Sequence, residues 1–125
     1  MTHNNREPIE QNRHDTIIGR LAKQLVKDGK KVKTNEGNTK LNGVKNTGES
    51  DFYYPDIFVV GVGTNVTEIY EVETESTVNE NSIQQWKKYS GDTAKLFLVV
   101  PNESLQTAKE LAKKHKIPVK EYFVF

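Results

Sequence analysis

The sequence predicts an α/β protein built on a mixed β-sheet. The predicted elements follow the order helix, three strands, helix, strand, helix, strand. The second and third strands are joined by a turn short enough for an antiparallel hairpin. The later strands are separated by helices, which is typical of parallel crossover connections. These two features together favour a sheet that contains both kinds of pairing.

Length and composition indicate a single domain with a sizeable core. The chain has 125 residues, of which 28% are charged, and a formal net charge of +1. This balance neither requires nor excludes a nucleic-acid partner, because binding depends on local patches. There is no cysteine, so disulfides and thiolate metal sites are excluded. No apolar run resembles a signal peptide or a membrane span, and we expect a cytoplasmic protein with no membrane partner.

The chain divides into a polar lead-in and one folded domain. Residues 1–13 are too polar to bury a core, and we predict a disordered segment there. The domain then covers residues 14–125. It opens with a predicted helix over residues 14–28, in which His14 or Asp15 is the N-cap. One apolar stripe supports this helix: Ile17, Ile18, Leu21, Leu25 and Val26.

A short strand and a long polar loop follow the first helix. Residues 30–34 form the predicted strand, with Val32 as its strong apolar residue. Residues 35–51 are rich in glycine and asparagine, and such a loop in a small domain is either functional or disordered. An alternative is that residues 40–44 form one weak strand within this loop.

The centre of the sequence is a predicted hairpin. Residues 54–60 are an apolar strand buried on both faces, and residues 69–74 are an alternating strand. The alternation divides the second strand into two sets, with Ile69, Glu71 and Glu73 on one face and Tyr70, Val72 and Thr74 on the other. The remaining elements are a helix over 79–89 with Trp86 in the core, a strand over 95–100, a helix over 104–116 and a strand over 119–125.

The hairpin brings Asp56 near Glu71 and Glu73. Three carboxylates at one place repel each other unless a cation lies between them, and a hard divalent ion prefers oxygen ligands. Such a site would suit Mg²⁺ or Mn²⁺ and phosphodiester hydrolysis. The alternative is that Glu71 and Glu73 lie on a solvated face of the sheet. The spacing taken alone favours this alternative.

The hairpin residues resemble the PD-(D/E)xK nuclease superfamily. Pro55-Asp56 is followed by Glu71-Val72-Glu73, and Gln85-Trp86-Lys87-Lys88-Tyr89 fits the Q-x-x-x-Y pattern of the RecB-like branch. In that branch a histidine of the first helix often completes the site, and His14 is in a suitable position. The resemblance covers about residues 14–125. It implies a restriction-endonuclease-like αβββαβ core whose central mixed sheet is flanked by helices.

The resemblance also implies roles for individual residues. Asp56 and Glu71 would bind Mg²⁺ or Mn²⁺ together with the backbone carbonyl of Val72. Glu73 stands where the family usually has its catalytic lysine, and in some members that lysine has moved to the neighbouring helix. The resemblance therefore assigns the remaining catalytic roles to three residues of that helix: Gln85, Tyr89 and Lys88, with Lys87 as the substitute for Lys88.

The implied partner is nucleic acid, with DNA as the expected form. Small members of this superfamily often dimerise, so the resemblance also allows a homodimer. Phosphate contacts are expected from lysines, because binding to nucleic acid requires local positive charge. The candidates are Lys40, Lys45 and Lys87, with Lys30, Lys31 and Lys33 in addition. A second hypothesis is a catalytically inactive module with the same fold that binds nucleic acid or protein.

Overall fold

The computed structural model describes residues 7–36 and 41–125. It contains eight helices and strands in this order: α1 Pro8–Lys27, β1 Lys31–Thr34, β2 Ile57–Val60, β3 Val66–Val72, α2 Ile83–Tyr89, β4 Lys95–Val100, α3 Leu105–Lys114 and β5 Glu121–Val124. Short 3₁₀ turns at Glu80–Ser82 and Asn102–Ser104 precede α2 and α3. The predicted order of elements is confirmed.

The five strands form one mixed sheet in the order β1-β2-β3-β4-β5. The first three strands are antiparallel neighbours, and β4 and β5 are each parallel to the strand before them. The tight turn between β2 and β3 is closed by the Gly61 N–H, which donates to the Asn65 carbonyl at 2.7 Å. Gly63 lies within it at a φ of +68°, a backbone conformation that suits glycine. The predicted α/β class with a mixed sheet is therefore confirmed.

Helices cover both faces of the sheet. On one face α1 packs against the strands through an apolar cluster of Ile18, Leu25, Ile57, Val59, Tyr70, Val72, Phe97 and Val99. On the other face α2 and α3 pack through Ile83, Trp86, Tyr89, Ala108 and Ala112 against Phe58, Ile69, Leu96, Leu98 and Val100. Successive residues of β3 and β4 alternate between the two clusters, as the period of a strand requires. Along the described parts of the chain, no helix combines the length and apolarity needed to cross a membrane.

The first helix begins earlier than the sequence predicts. It starts at Pro8, so His14 lies inside the helix and is not its N-cap. Proline suits the first turn because its φ is already helical and it lacks an N–H. A tertiary contact also holds this turn, since the Glu10 carboxylate accepts hydrogen bonds from the Ser76 N–H at 3.1 Å and the Ser76 hydroxyl at 2.6 Å. The predicted disorder of residues 1–13 is therefore wrong for residues 8–13, and residues 1–6 lie outside the described chain.

The loop between β1 and β2 is ordered by side-chain amides in its described parts. Asn35 donates from Nδ2 to the carbonyls of Asn42 at 2.9 Å and Pro55 at 2.8 Å, so it ties two parts of the loop together. Val44 and Tyr53 exchange a pair of backbone hydrogen bonds at 2.8 Å. An isolated bridge at Val44 thus stands where the sequence suggests a weak strand over 40–44.

We expect Leu98→Ala to destabilise the protein by about 2–5 kcal/mol, because it opens a cavity in the core. Leu98 is fully buried in β4, whereas Leu41 is 80% exposed and provides a matched control. Leu41→Ala should change the free energy of unfolding by less than about 0.5 kcal/mol. Urea unfolding of both variants measures the difference, and equal effects would contradict the fold.

Candidate functional site

Asp56 and Glu71 lie together at the end of the β2–β3 hairpin. The strand register pairs Ile57 with Tyr70, so Asp56 lies opposite Glu71. The Asp56 N–H donates to Glu71 Oε2 at 3.2 Å, and the Val72 N–H donates to Asp56 Oδ2 at 2.8 Å. The carboxylates thus cap backbone N–H groups where the regular ladder ends. The hairpin pattern predicted this proximity.

Glu73 is buried with its carboxylate held by the helix that follows. The side chain is 2% exposed, and Trp86 donates from Nε1 to Glu73 Oε2 at 2.9 Å. Glu73 therefore faces α2, on the side of the sheet that Ile69 also faces, as the alternation predicts. The alternative in which Glu71 and Glu73 lie on a solvated face is wrong, because both are buried.

His14 reaches the same hairpin end from α1. The imidazole is buried, with Nε2 at 3.2 Å from Asp56 Oδ2 and Nδ1 at 3.0 Å from Asp15 Oδ1. It therefore lies between two carboxylates. A carboxylate on one ring nitrogen fixes the ring orientation and increases the basicity of the other nitrogen, the usual arrangement behind a metal-binding histidine.

Tyr89 lies close to the carboxylates from the side of α2. Its ring is buried and stacks on Tyr53, with 5.0 Å between the ring centroids. Burial raises the pKa of the Tyr89 phenol well above its ordinary value, and the charges of Glu71, Asp56 and Glu73 raise it further. The phenol is therefore a neutral hydrogen-bonding group beside a negative cluster. Gln85, one turn earlier in α2, is half-buried.

The lysines of the predicted site are not part of this cluster. Lys87 and Lys88 are exposed on α2, and within the described chain neither ammonium group forms an ion pair with an acidic side chain. Lys45 is exposed, with its ammonium 4.9 Å from the centre of the Phe52 ring. Lys40 lies outside the described residues. Ion pairs in the described residues therefore do not connect Lys87 or Lys88 with the carboxylates of the hairpin.

The donor atoms suit a divalent cation in kind but are not arranged as a finished cage. Across residues 7–36 and 41–125, no group of three or more histidine, aspartate or glutamate side chains is placed to hold a metal ion. The carboxylate oxygens instead form contacts within the protein. Asp56 Oδ2 accepts a hydrogen bond from the Val72 N–H and contacts His14 Nε2. Glu73 meanwhile binds the indole of Trp86. The expected three-carboxylate cage is therefore absent from this arrangement.

Two features of the site were not predicted from the sequence. Asp15 Oδ1 lies 3.0 Å from His14 Nδ1, and both residues lie inside α1. The indole of Trp86 binds Glu73, although the helical pattern identified Trp86 only as a core residue. A buried tryptophan needs a partner for its N–H, and this requirement was the available signal.

Comparison with known proteins assigns no family to this chain. No family model, no curated protein and no solved structure matches it. A function must therefore be inferred from the geometry of its own residues and from the motifs that they form.

We expect Tyr89→Phe to make the stability less sensitive to alkaline pH. Because the pKa of Tyr89 is raised above 10.0 in the folded state, its stabilising effect is complete below pH 10 and is lost as the pH rises toward the folded pKa. The variant should therefore flatten the decline above about pH 10 by up to about 1.4 kcal/mol per pH unit. Urea unfolding at a series of pH values measures this slope. Tyr54→Phe is the control for loss of a less buried phenol, and an unchanged slope in Tyr89→Phe would contradict the site geometry.

Proposed function

We propose that this chain is a cytoplasmic, metal-dependent nuclease of the PD-(D/E)xK type that hydrolyses phosphodiester bonds in DNA or RNA. The observation that carries the proposal is the pairing of Asp56 with Glu71 at the end of two hydrogen-bonded strands. His14 contacts the same aspartate from the first helix. These are the residues to which the resemblance assigns the metal site.

The architecture supports the same proposal. The first six elements run α1, β1, β2, β3, α2, β4, which is the αβββαβ order that the resemblance implies. The helix that carries Gln85 and Tyr89 packs beside the hairpin, and Tyr89 lies near the carboxylates. A fold of this kind hosts many functions, so the site residues carry more weight than the order of elements.

The residues that would hold Mg²⁺ or Mn²⁺ are Asp56, Glu71 and the carbonyl of Val72, with His14 as a nitrogen ligand. When bound, the ion would polarise the phosphodiester and lower the pKa of a bound water. In the present arrangement His14 Nε2 lies 3.2 Å from Asp56 Oδ2, within hydrogen-bonding distance. Asp15 would keep the imidazole oriented, because it contacts the other ring nitrogen.

A second candidate function is a nucleic-acid-binding module that does not cut. Glu73 occupies the position of the family lysine, and its carboxylate is committed to Trp86. Lys87 and Lys88 point into solvent and form no described ion pair at the site. A site without a lysine lacks one positive group for stabilising the charge that develops on the phosphate. The observation that favours the alternative is that, within the described chain, neither Lys87 nor Lys88 forms an ion pair with an acidic side chain.

We expect Asp56→Asn and Glu71→Gln each to lower the rate of Mn²⁺-dependent cleavage by at least about a hundredfold, because each removes a charged group from the reaction site. The substrates are labelled single-stranded, duplex and branched DNA and RNA. Asp51→Asn, which neutralises an exposed carboxylate elsewhere, is the matched control and should cut at the rate of the original chain.

The assay separates the two candidate functions when it is combined with calorimetric titration of Mn²⁺. Cutting that is lost in both variants but kept in Asp51→Asn would support the nuclease. Nucleic-acid binding without metal binding or cutting would support the inactive module. Cutting that survives both substitutions would show that Asp56 and Glu71 are not the catalytic pair.

Glu73→Gln tests whether the buried carboxylate takes part in the chemistry. Glutamine retains an oxygen that accepts from the Trp86 indole, so we expect the stability to change by less than about 1 kcal/mol. If the charge of Glu73 acts on the substrate or on its proton, cleavage should fall by about a hundredfold while nucleic-acid binding is unchanged. Urea unfolding, a cleavage assay and a nucleic-acid binding assay on one preparation of the variant measure its stability, its activity and its affinity. Full cleavage by the variant would show that Glu73 only supports Trp86.

A further inference from the structure

An open groove of about 780 Å³ lies on the face of the sheet that α2 and α3 cover only in part, between the loop that precedes β2 and the β2–β3 turn. Its floor is formed by β1 and β2, including Phe58 and Val60. One wall is the loop segment from Asn42 to Thr47, and residues 92–94 close the end. The groove therefore lies between an ordered loop and two strands, with no helix above it among its lining residues.

Three lysines line this groove: Lys31, Lys33 and Lys45. Lys31 and Lys33 alternate with Val32, which packs under α1, so both lysines lie on the opposite face of β1. All three are exposed, and within the described chain none forms an ion pair with an acidic side chain, unlike Lys30, which binds Glu68. Their positive charge is therefore available to a ligand.

The remaining polar groups of the groove are mostly neutral amides and hydroxyls. Asp92 is the one acidic side chain among the lining residues in the described chain. Its Oδ2 accepts hydrogen bonds from the Thr47 N–H at 2.7 Å and the Thr47 hydroxyl at 2.9 Å, which engages this carboxylate within the wall. The charge of the groove is thus positive overall, which suits an extended anion.

One side chain, Tyr53, connects the groove with the carboxylate cluster. Tyr53 lines the groove and stacks on Tyr89, which lies beside Glu71 and Asp56. The strand β1 runs toward the same place, because the N–H of the residue after it, Asn35, donates to the Asp56 carbonyl at 3.0 Å. An extended ligand that contacts Lys31 and then Lys33 would therefore run along β1 toward the end of the sheet where Asp56 lies.

We infer that this groove binds one unpaired strand of nucleic acid, with its phosphates held by Lys31, Lys33 and Lys45. The inference rests on the proposed function and specifies its substrate as a single strand. Alternate residues of a strand are about 6.8 Å apart, which is similar to the separation of successive phosphates in an extended backbone. Unpaired strands are typically bound in positively charged grooves with aromatic side chains on which bases stack, and Tyr53 and Phe58 line this groove.

The test is binding of a fluorescently labelled oligothymidylate by anisotropy, with EDTA present so that no cutting occurs. The triple variant Lys31→Ala, Lys33→Ala, Lys45→Ala should bind about tenfold to a hundredfold more weakly at moderate salt. The slope of log K against log salt should become shallower by about 2, since each phosphate contact to a single strand contributes about 0.7. The control variant removes three exposed lysines elsewhere: Lys23, Lys27 and Lys113.

Circular dichroism of both triple variants establishes that they are folded. Weaker binding and a shallower slope for the groove variant alone support the inference. Equal loss in the control variant, no binding of the oligomer by the original chain, or equally tight groove-dependent binding of the matched duplex would each overturn it. The binding assay contains no divalent ion, so its result does not depend on cleavage. If the original chain binds the strand through the groove but does not cut it when Mn²⁺ is added, the nuclease proposal is wrong and the groove inference stands. If the original chain cuts nucleic acid but the groove variant binds as tightly as the original, the groove inference is wrong and the nuclease proposal stands.

Discussion

The register of the β2–β3 hairpin is the constraint on which the site depends. Pairing of Ile57 with Tyr70 puts Asp56 opposite Glu71, and two hydrogen bonds from backbone N–H groups to these carboxylates follow. A slip of one residue would turn Glu71 toward α1 and place Tyr70 among the polar groups. The apolar alternation of β3 resists that slip, because both faces of the strand are covered by helices. Packing of the two cores thus fixes the position of the carboxylates.

Burial of these carboxylates explains why two helices present polar side chains at this place. Glu71 and Glu73 are 7% and 2% exposed, and a charge removed from water must be compensated by hydrogen bonds or opposite charge. The indole of Trp86 supplies one partner from α2, and His14 supplies a ring nitrogen to Asp56 from α1. The two helices therefore pack apolar faces on the sheet and also provide a polar contact to the carboxylates, from His14 in α1 and from Trp86 in α2.

Periodicity predicted most of the fold, because it reports which face of an element is buried. The predicted strand over 95–100 agrees with β4 at both ends, and the division of β3 between two faces is confirmed. The start of α1 was missed, since its first two turns carry no apolar stripe and Glu10 is held by Ser76 from a distant turn. In the same way, the sequence placed Asp56 and Glu71 together but did not identify Glu73 as the partner of the Trp86 indole. Contacts between elements far apart in the chain leave no local pattern.

Burying the carboxylates of this cluster costs folding free energy, and this cost bears on the role of the cluster. Buried charged pairs are commonly less stabilising than well-packed apolar residues of similar volume. A strand end that served only to hold the sheet would be more stable with apolar residues at Glu71 and Glu73, which are surrounded by Tyr89, Trp86 and Ile69. Departures from such local rules are expected where a protein binds or transforms a ligand. Under the function proposed above, binding of a cation and a phosphodiester would offset this cost, and the positive groove would offer a path by which a strand reaches the cluster.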